Sequence, residues 1–272
     1  SNLTKNTNGT SGAMYGIYQN TSSATCRNYN NNVFNLNNYG TTAVTYGYYN
    51  FGSLSIGTEE VYNNTYRDIT SRSGGVCIGM NVATGLGSST ITKNVYGNDV
   101  YKHSNVRNDS IGQTGGIRVD YVTYGNIYGN RTYNVTNALN DASLPAAYGM
   151  LLGASITGSN YDVYNNMISE VYALTSNSAL GVLGLWVNGG DTCNLSYNTI
   201  YMDSSASGTN TGNYALYLNG TTDATMKNNI IINKFAPAGT GANIAIYKFA
   251  TVIYNSASNN NNVYVQQGES NF

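Results

Sequence analysis

Thirteen acidic residues, twelve lysines and arginines, one histidine and three cysteines carry the acid–base and thiol chemistry of this chain. Hydrolysis of a glycosidic bond needs two carboxyl groups held about 5–9 Å apart. The candidates are Glu59-Glu60, just ahead of an expected strand, and Asp120, Asp162 and Asp191. Arg118 and Asp120 lie two apart, share one strand face and read as an ion pair. Asp162 and Asp191 stand at different offsets within their repeats, so their columns are expected to differ. His103 has Lys102 beside it and Arg107 nearby, with no nucleophile or metal partner in reach, and reads as a solvated loop histidine. Cys26, Cys77 and Cys193 have no metal-ligand spacing and read as small buried hydrophobes, with an intermolecular bridge as the alternative. There is no phosphate-cradling Gly-Lys-Ser/Thr loop, no dinucleotide fingerprint and no recurring acidic cluster with a calcium spacing. The expectation is therefore no catalytic residue, no cofactor and no metal.

Composition narrows the partners. Charged residues are only 9% of the chain, whereas Asn (44), Gly (31) and Tyr (26) dominate it; about 25% charge is usual. A net charge of −1 with no basic stripe argues against nucleic acid. No run of about 20 apolar residues spans a bilayer; stretches such as 179–187 are too short. Nine Asn-x-Ser/Thr sequons, Asn2, Asn63, Asn130 and Asn219 among them, permit glycosylation in a host that performs it.

The positioning elements come from an internal repeat. An Asn precedes a short apolar or aromatic strand at Asn32, Asn64, Asn98, Asn130, Asn166, Asn198, Asn229 and Asn262. A small residue followed by an apolar strand tracks it at Gly16, Gly47, Gly75, Gly116, Gly149, Gly184, Ala215 and Ala245. Apolar residues alternate over three to five positions and no helical period appears, which is strand-like. Pro145 and Pro237 fall in the Gly/Asn/Ser/Thr-rich connections, where no ladder bond is lost. Three short strands per repeat of 31 to 36 residues fit one coil of a parallel β-helix and are too few for a propeller blade. The fold expected is all-β: a single-domain parallel β-helix over 1–272, of about eight coils, right-handed as parallel crossovers generally are. Identical residues on successive coils would then form an Asn ladder, and a Tyr column at Tyr62, Tyr96, Tyr128 and Tyr164, each two before its marker Asn.

Segments such as Tyr164-Asn165-Asn166-Met167-Ile168, Tyr197-Asn198-Thr199-Ile200-Tyr201 and Lys227-Asn228-Asn229-Ile230-Ile231-Ile232-Asn233 resemble the right-handed β-helix repeats of large secreted bacterial surface proteins. The likeness is greatest to Asn- and Thr-rich repeat proteins of the Bacteroidota and their relatives. It covers nearly the whole chain and implies the fold and export to the cell surface. Pectate lyases and polygalacturonases share such a fold, but their paired-Asp, Gly-His-Gly and Arg-x-Lys signatures are missing.

Three functions follow as expectations. The chain begins just after one marker strand would end and finishes soon after another, without an amphipathic capping helix. Strand edges left open at both ends template further pairing, and a heterologous contact that does not close makes an open filament. The leading expectation is an extracellular structural subunit, a head-to-tail homopolymer. One alternative is a carbohydrate-binding adhesin segment using the Tyr ladders or Trp186, although core packing is the plainer role for Trp186. The other is a polysaccharide lyase or hydrolase. The loops from Lys102 to Thr114 and from Asn137 to Ala147 are further places for binding.

Overall fold

The computed structural model describes the chain except for residues 1–2, 6–11, 21–22, 41, 43, 54, 73–74, 86–89, 107–111, 139–144, 154–157, 174, 204, 222, 238 and 267–272. Among the described residues every regular element is a β-strand, and every pairing between strands is parallel. The fourth repeat illustrates the coil. Thr114–Val119 belongs to a first sheet, Tyr124–Tyr128 to a second and Arg131–Asn137 to a third, after which Ala147–Leu152 returns to the first. The first and second sheets each hold eight strands, so eight rungs enclose about seven full turns of a β-solenoid. Interior positions of all three sheets form one continuous apolar core.

Each corner has a local cause. Between the second and third sheets the chain turns through one residue of positive φ: Asn30, Asn63, Gly97, Gly129, Asn165, Tyr197, Asn228 and Asn260 in successive rungs. Asn and Gly are the residues that tolerate this region best. A second positive-φ column, Asn35, Asp68, Lys102, Asn134 and Glu170, kinks the third sheet in mid-strand. In the first sheet the small-residue column is Gly16, Gly47, Gly79, Gly116, Gly149, Gly184, Ala215 and Ala245, so its third member is Gly79 and not Gly75. A Cβ on Gly47 would lie 2.4 Å from the Gly79 carbonyl oxygen.

The third-sheet kink corrects two expectations. His103 lies inside the strand Asp99–Asn105 and is fully buried, rather than in a solvated loop. Strict alternation from Val100 would turn Lys102 inward, but its φ of 55° shifts the phase, so that His103 and Asn105 face the core. The loop expected from Lys102 to Thr114 thus starts only after Asn105, and 107–111, with Arg107, lie outside the described residues. So do 139–144 of the second expected loop and the Asn2 sequon. Glu59-Glu60 also lie within a strand, Ile56–Tyr62, with Glu59 inside and Glu60 outside. Pro237 pairs with Ala206 in a two-residue ladder outside the main sheets.

The outer face of the first sheet carries a second, smaller apolar cluster that includes Ile78, Tyr148, Leu183 and Tyr214. Trp186 packs against it, with its ring 6.2 Å from that of Tyr148 and edge-on. Val76, Leu180 and Ala242, from the connections between rungs, join the same cluster.

Candidate functional site

The most regular chemical feature is an amide ladder at the corner between the second and third sheets. It runs Asn31, Asn64, Asn98, Asn130, Asn166, Asn198, Asn229 and Asn261. Asn32 and Asn262 are not in it. Asn32 is the first residue of the strand beyond, opposite Thr65, and Asn262 is opposite Ile230. The slip comes from the Asn runs at 30–32 and 259–262, where residue type does not distinguish neighbours. At 30–32 the tyrosine two residues before the marker does distinguish them, since Tyr29 precedes Asn31 by that offset; at 259–262 no tyrosine stands there.

Every bond from one ladder Asn to another points the same way along the axis. The backbone N–H of each Asn donates to Oδ1 of the Asn on the next rung, at 3.0 to 3.1 Å. One Nδ2 hydrogen donates to that same Oδ1, at 2.8 to 3.0 Å. From Asn64 onward the other Nδ2 hydrogen donates back to a carbonyl of the preceding rung, such as Val61 for Asn98 and Val95 for Asn130. Both amide donors and the amide oxygen are thus engaged at a buried corner, where an unpaired polar group would be costly. Asn130 is fully buried in this ladder, so its sequon does not reach a modifying enzyme in the folded protein.

A further amide column lies at the far end of the third sheet, and the sequence reading missed it. Asn38, Asn105 and Asn137, in one register with Ser71, are buried and donate to backbone carbonyls around the corner, for example Asn137 to Ala146 at 2.6 Å; Asn233, which pairs instead with Met202 and Val265, makes a like bond to Ile244 at 2.9 Å. The available signal was an Asn seven residues after Asn31, Asn98 and Asn130.

The tyrosine column is stacked outside the second sheet. Tyr62, Tyr96, Tyr128 and Tyr164 lie 4.8 Å apart with planes within 2° of parallel, and Tyr29 extends the stack at 5.0 Å. Tyr101 and Tyr133 form a shorter stack on the third sheet, at 4.7 Å. Rings stacked face to face turn their π surfaces toward one another. The strip therefore offers edges to solvent, not the open ring faces on which a sugar would lie.

The acidic residues singled out above do not converge on a cleft. Asp120 accepts from Arg118 at 2.7 Å, the ion pair the sequence suggested. Glu60 pairs with Arg27, Asp68 with Arg67 and Lys102, and Asp99 with Arg131. Asp162 accepts from Asn194 on the next rung, whereas Asp191 precedes its strand and accepts from the Gly158 N–H, so the two do occupy different columns. Glu59 and Lys93 are opposite each other in one interior column, both fully buried, with Nζ 3.3 Å from Oε2. Burial lowers the pKa of Lys93 from its ordinary value, with Glu59 pulling the other way. Burial also pushes His103 down to about 3. The three cysteines are buried and free, and burial raises the thiol of Cys26 to about 11 and that of Cys77 to about 12. Among the described residues no group of three or more His, Cys, Asp or Glu is placed to hold a metal ion, and no helix is long and apolar enough to cross a membrane.

The last rung ends in a recess of about 470 Å³, lined in part by Ile246, Tyr254, Asn261 and Val263. These residues continue interior columns: Ile246 follows Leu216, Tyr254 follows Ala224 and Val263 follows Ile231. No family model, curated protein or solved structure matches the chain, so the solenoid and its ladders are what characterise it.

Proposed function

We propose that the chain is a structural subunit of an extracellular fibre, in which the rungs of one copy continue onto those of a second copy, head to tail. The observation that carries the reading is the translational self-complementarity of the coil. Each rung presents donors of its ladder Asn to the next rung and receives donors from the one before, by the same bonds from Asn31 to Asn261. Asn261 sits where its predecessors engage the next Oδ1, beside a recess lined by members of the apolar columns. A second copy laid on this end would extend parallel sheets and an amide ladder in register, a heterologous contact that repeats without closing. The low charge supports the same reading, because like charges stacked in register would repel.

The test is cryo-electron microscopy of the purified chain at neutral pH over a range of concentrations. Fibres with an axial repeat near eight rungs, roughly 38 Å, are expected. Val263→Lys, which places a charge in the recess, is expected to disperse them into single rods. Single rods from the unaltered chain at every concentration would overturn the proposal.

A further inference from the structure

Three polar residues meet inside the solenoid where the other rungs are mostly apolar. Asn50 ends the first-sheet strand Thr45–Asn50, and its column continues as Val82, Val119, Leu152, Val187 and Leu218. Glu59 and Lys93 occupy a column that continues as Gly125, Tyr161, Cys193 and Ala224. All three side chains are fully buried. The Glu59 carboxylate bridges the other two. Its Oε1 accepts from Asn50 Nδ2 at 2.7 Å, and its Oε2 lies 3.3 Å from Lys93 Nζ. The Gly52 N–H donates to Asn50 Oδ1 at 3.3 Å, which fixes the orientation of the amide and polarises its carbonyl. Lys93 also donates to the Val82 carbonyl at 2.9 Å; Val82 is the residue paired with Asn50 in the sheet. An ion pair in a dry core is weak support for stability, since apolar residues of similar volume often serve as well. The cluster therefore calls for a reason other than packing.

We propose that Lys93 and Asn50 join through an intramolecular amide bond, with Glu59 transferring the proton. The Lys93 amine attacks Asn50 Cγ. The Nζ–Cγ bond forms and the Cγ–Nδ2 bond breaks. One proton passes from Nζ through the Glu59 carboxylate to Nδ2, which leaves as ammonia. Nothing is oxidised or reduced, and no further reactant is consumed. The carboxylate stands between the two groups that react. One carboxylate oxygen faces the amine and the other faces the leaving nitrogen, as a general base that becomes a general acid requires. The Gly52 N–H stands where negative charge develops on Oδ1. Burial favours the neutral, nucleophilic form of Lys93. It keeps the Cys26 thiol, 3.4 Å from Asn50 Nδ2, protonated and so a poor competitor. The bond would tie the first sheet of one rung to the second sheet of the next, a covalent staple across the lumen.

The experiment is the intact mass of the full chain under denaturing conditions, followed by peptide mapping. The unaltered protein is expected to have lost one ammonia and to yield a branched peptide joining the segment of Asn50 to that of Lys93. Glu59→Gln is expected to keep the ammonia and to yield the two segments separately. A wild-type mass with every ammonia present overturns the proposal, whether or not the variant folds. So does a lost ammonia without the branched peptide, as when an asparagine elsewhere cyclises. A branched peptide formed equally in Glu59→Gln overturns the role of Glu59.

Discussion

Replacing Asn130 by Ala tests the amide ladder at its centre. The side chain makes four hydrogen bonds. Nδ2 donates to Val95 O at 2.8 Å and to Asn166 Oδ1 at 3.0 Å, and Oδ1 accepts from Asn98 N at 3.1 Å and Asn98 Nδ2 at 2.9 Å. At a net value of about 1 kcal/mol each, their loss costs about 4 kcal/mol, and the buried Asn98 donors left behind add to it. The backbone bond from residue 130 to Asn166 Oδ1 survives, because it does not use the side chain. Asn31→Ala is the internal comparison. Its Nδ2 donates to Asn64 Oδ1 and to the Tyr29 carbonyl, both at 3.0 Å, and Asn64 Oδ1 would keep the Asn31 N–H, so about 2 kcal/mol is expected there. Equilibrium unfolding in denaturant, followed by circular dichroism, reads both. A central variant within about 0.5 kcal/mol of the parent, or one no worse than Asn31→Ala, would refute the reasoning that buried amide bonds hold the rungs together.

Other perturbations separate backbone geometry from burial. Gly47→Ala places a Cβ 2.4 Å from a carbonyl oxygen and should cost about 1–3 kcal/mol, read as a lower thermal midpoint. Gly97→Asn should stay within about 0.5 kcal/mol, because Asn63 on the preceding rung and Asn165 two rungs on hold the same positive-φ corner and only the far end of the Asn63 side chain must yield. His103 is buried in a column with Ile69 and Val135, and its pKa is pushed down to about 3 from an ordinary 6.5. The unfolded chain binds the proton first, so stability is lost as pH falls through that window, by about 1.4 kcal/mol per unit at the steepest. His103→Leu should remove this component, measured as the difference between the two unfolding curves from pH 7 to pH 3; identical pH profiles would show that the imidazole is not held neutral.

The sequence alone determined the repeat, the strand type and most of the ladder, because each rung places the same residue type in the same surroundings. Six of the eight ladder asparagines and the tyrosine column were legible from spacing. The chain does not specify its own register among the asparagines at 259–262, where only the hydrogen bonds between rungs select Asn261, whereas at 30–32 the tyrosine offset from Tyr29 marks Asn31. Nor does period-two alternation survive a positive-φ residue in mid-strand, and so the inward turn of His103 was hidden until the backbone at Lys102 was known. The cluster of Asn50, Glu59 and Lys93 was beyond sequence reading for a third reason. Its members come from two sheets and two rungs, and they meet only because the solenoid closes around a lumen. Periodicity reports what neighbouring rungs share, whereas contacts across the interior depend on how three sheets pack, which no repeat along the chain encodes.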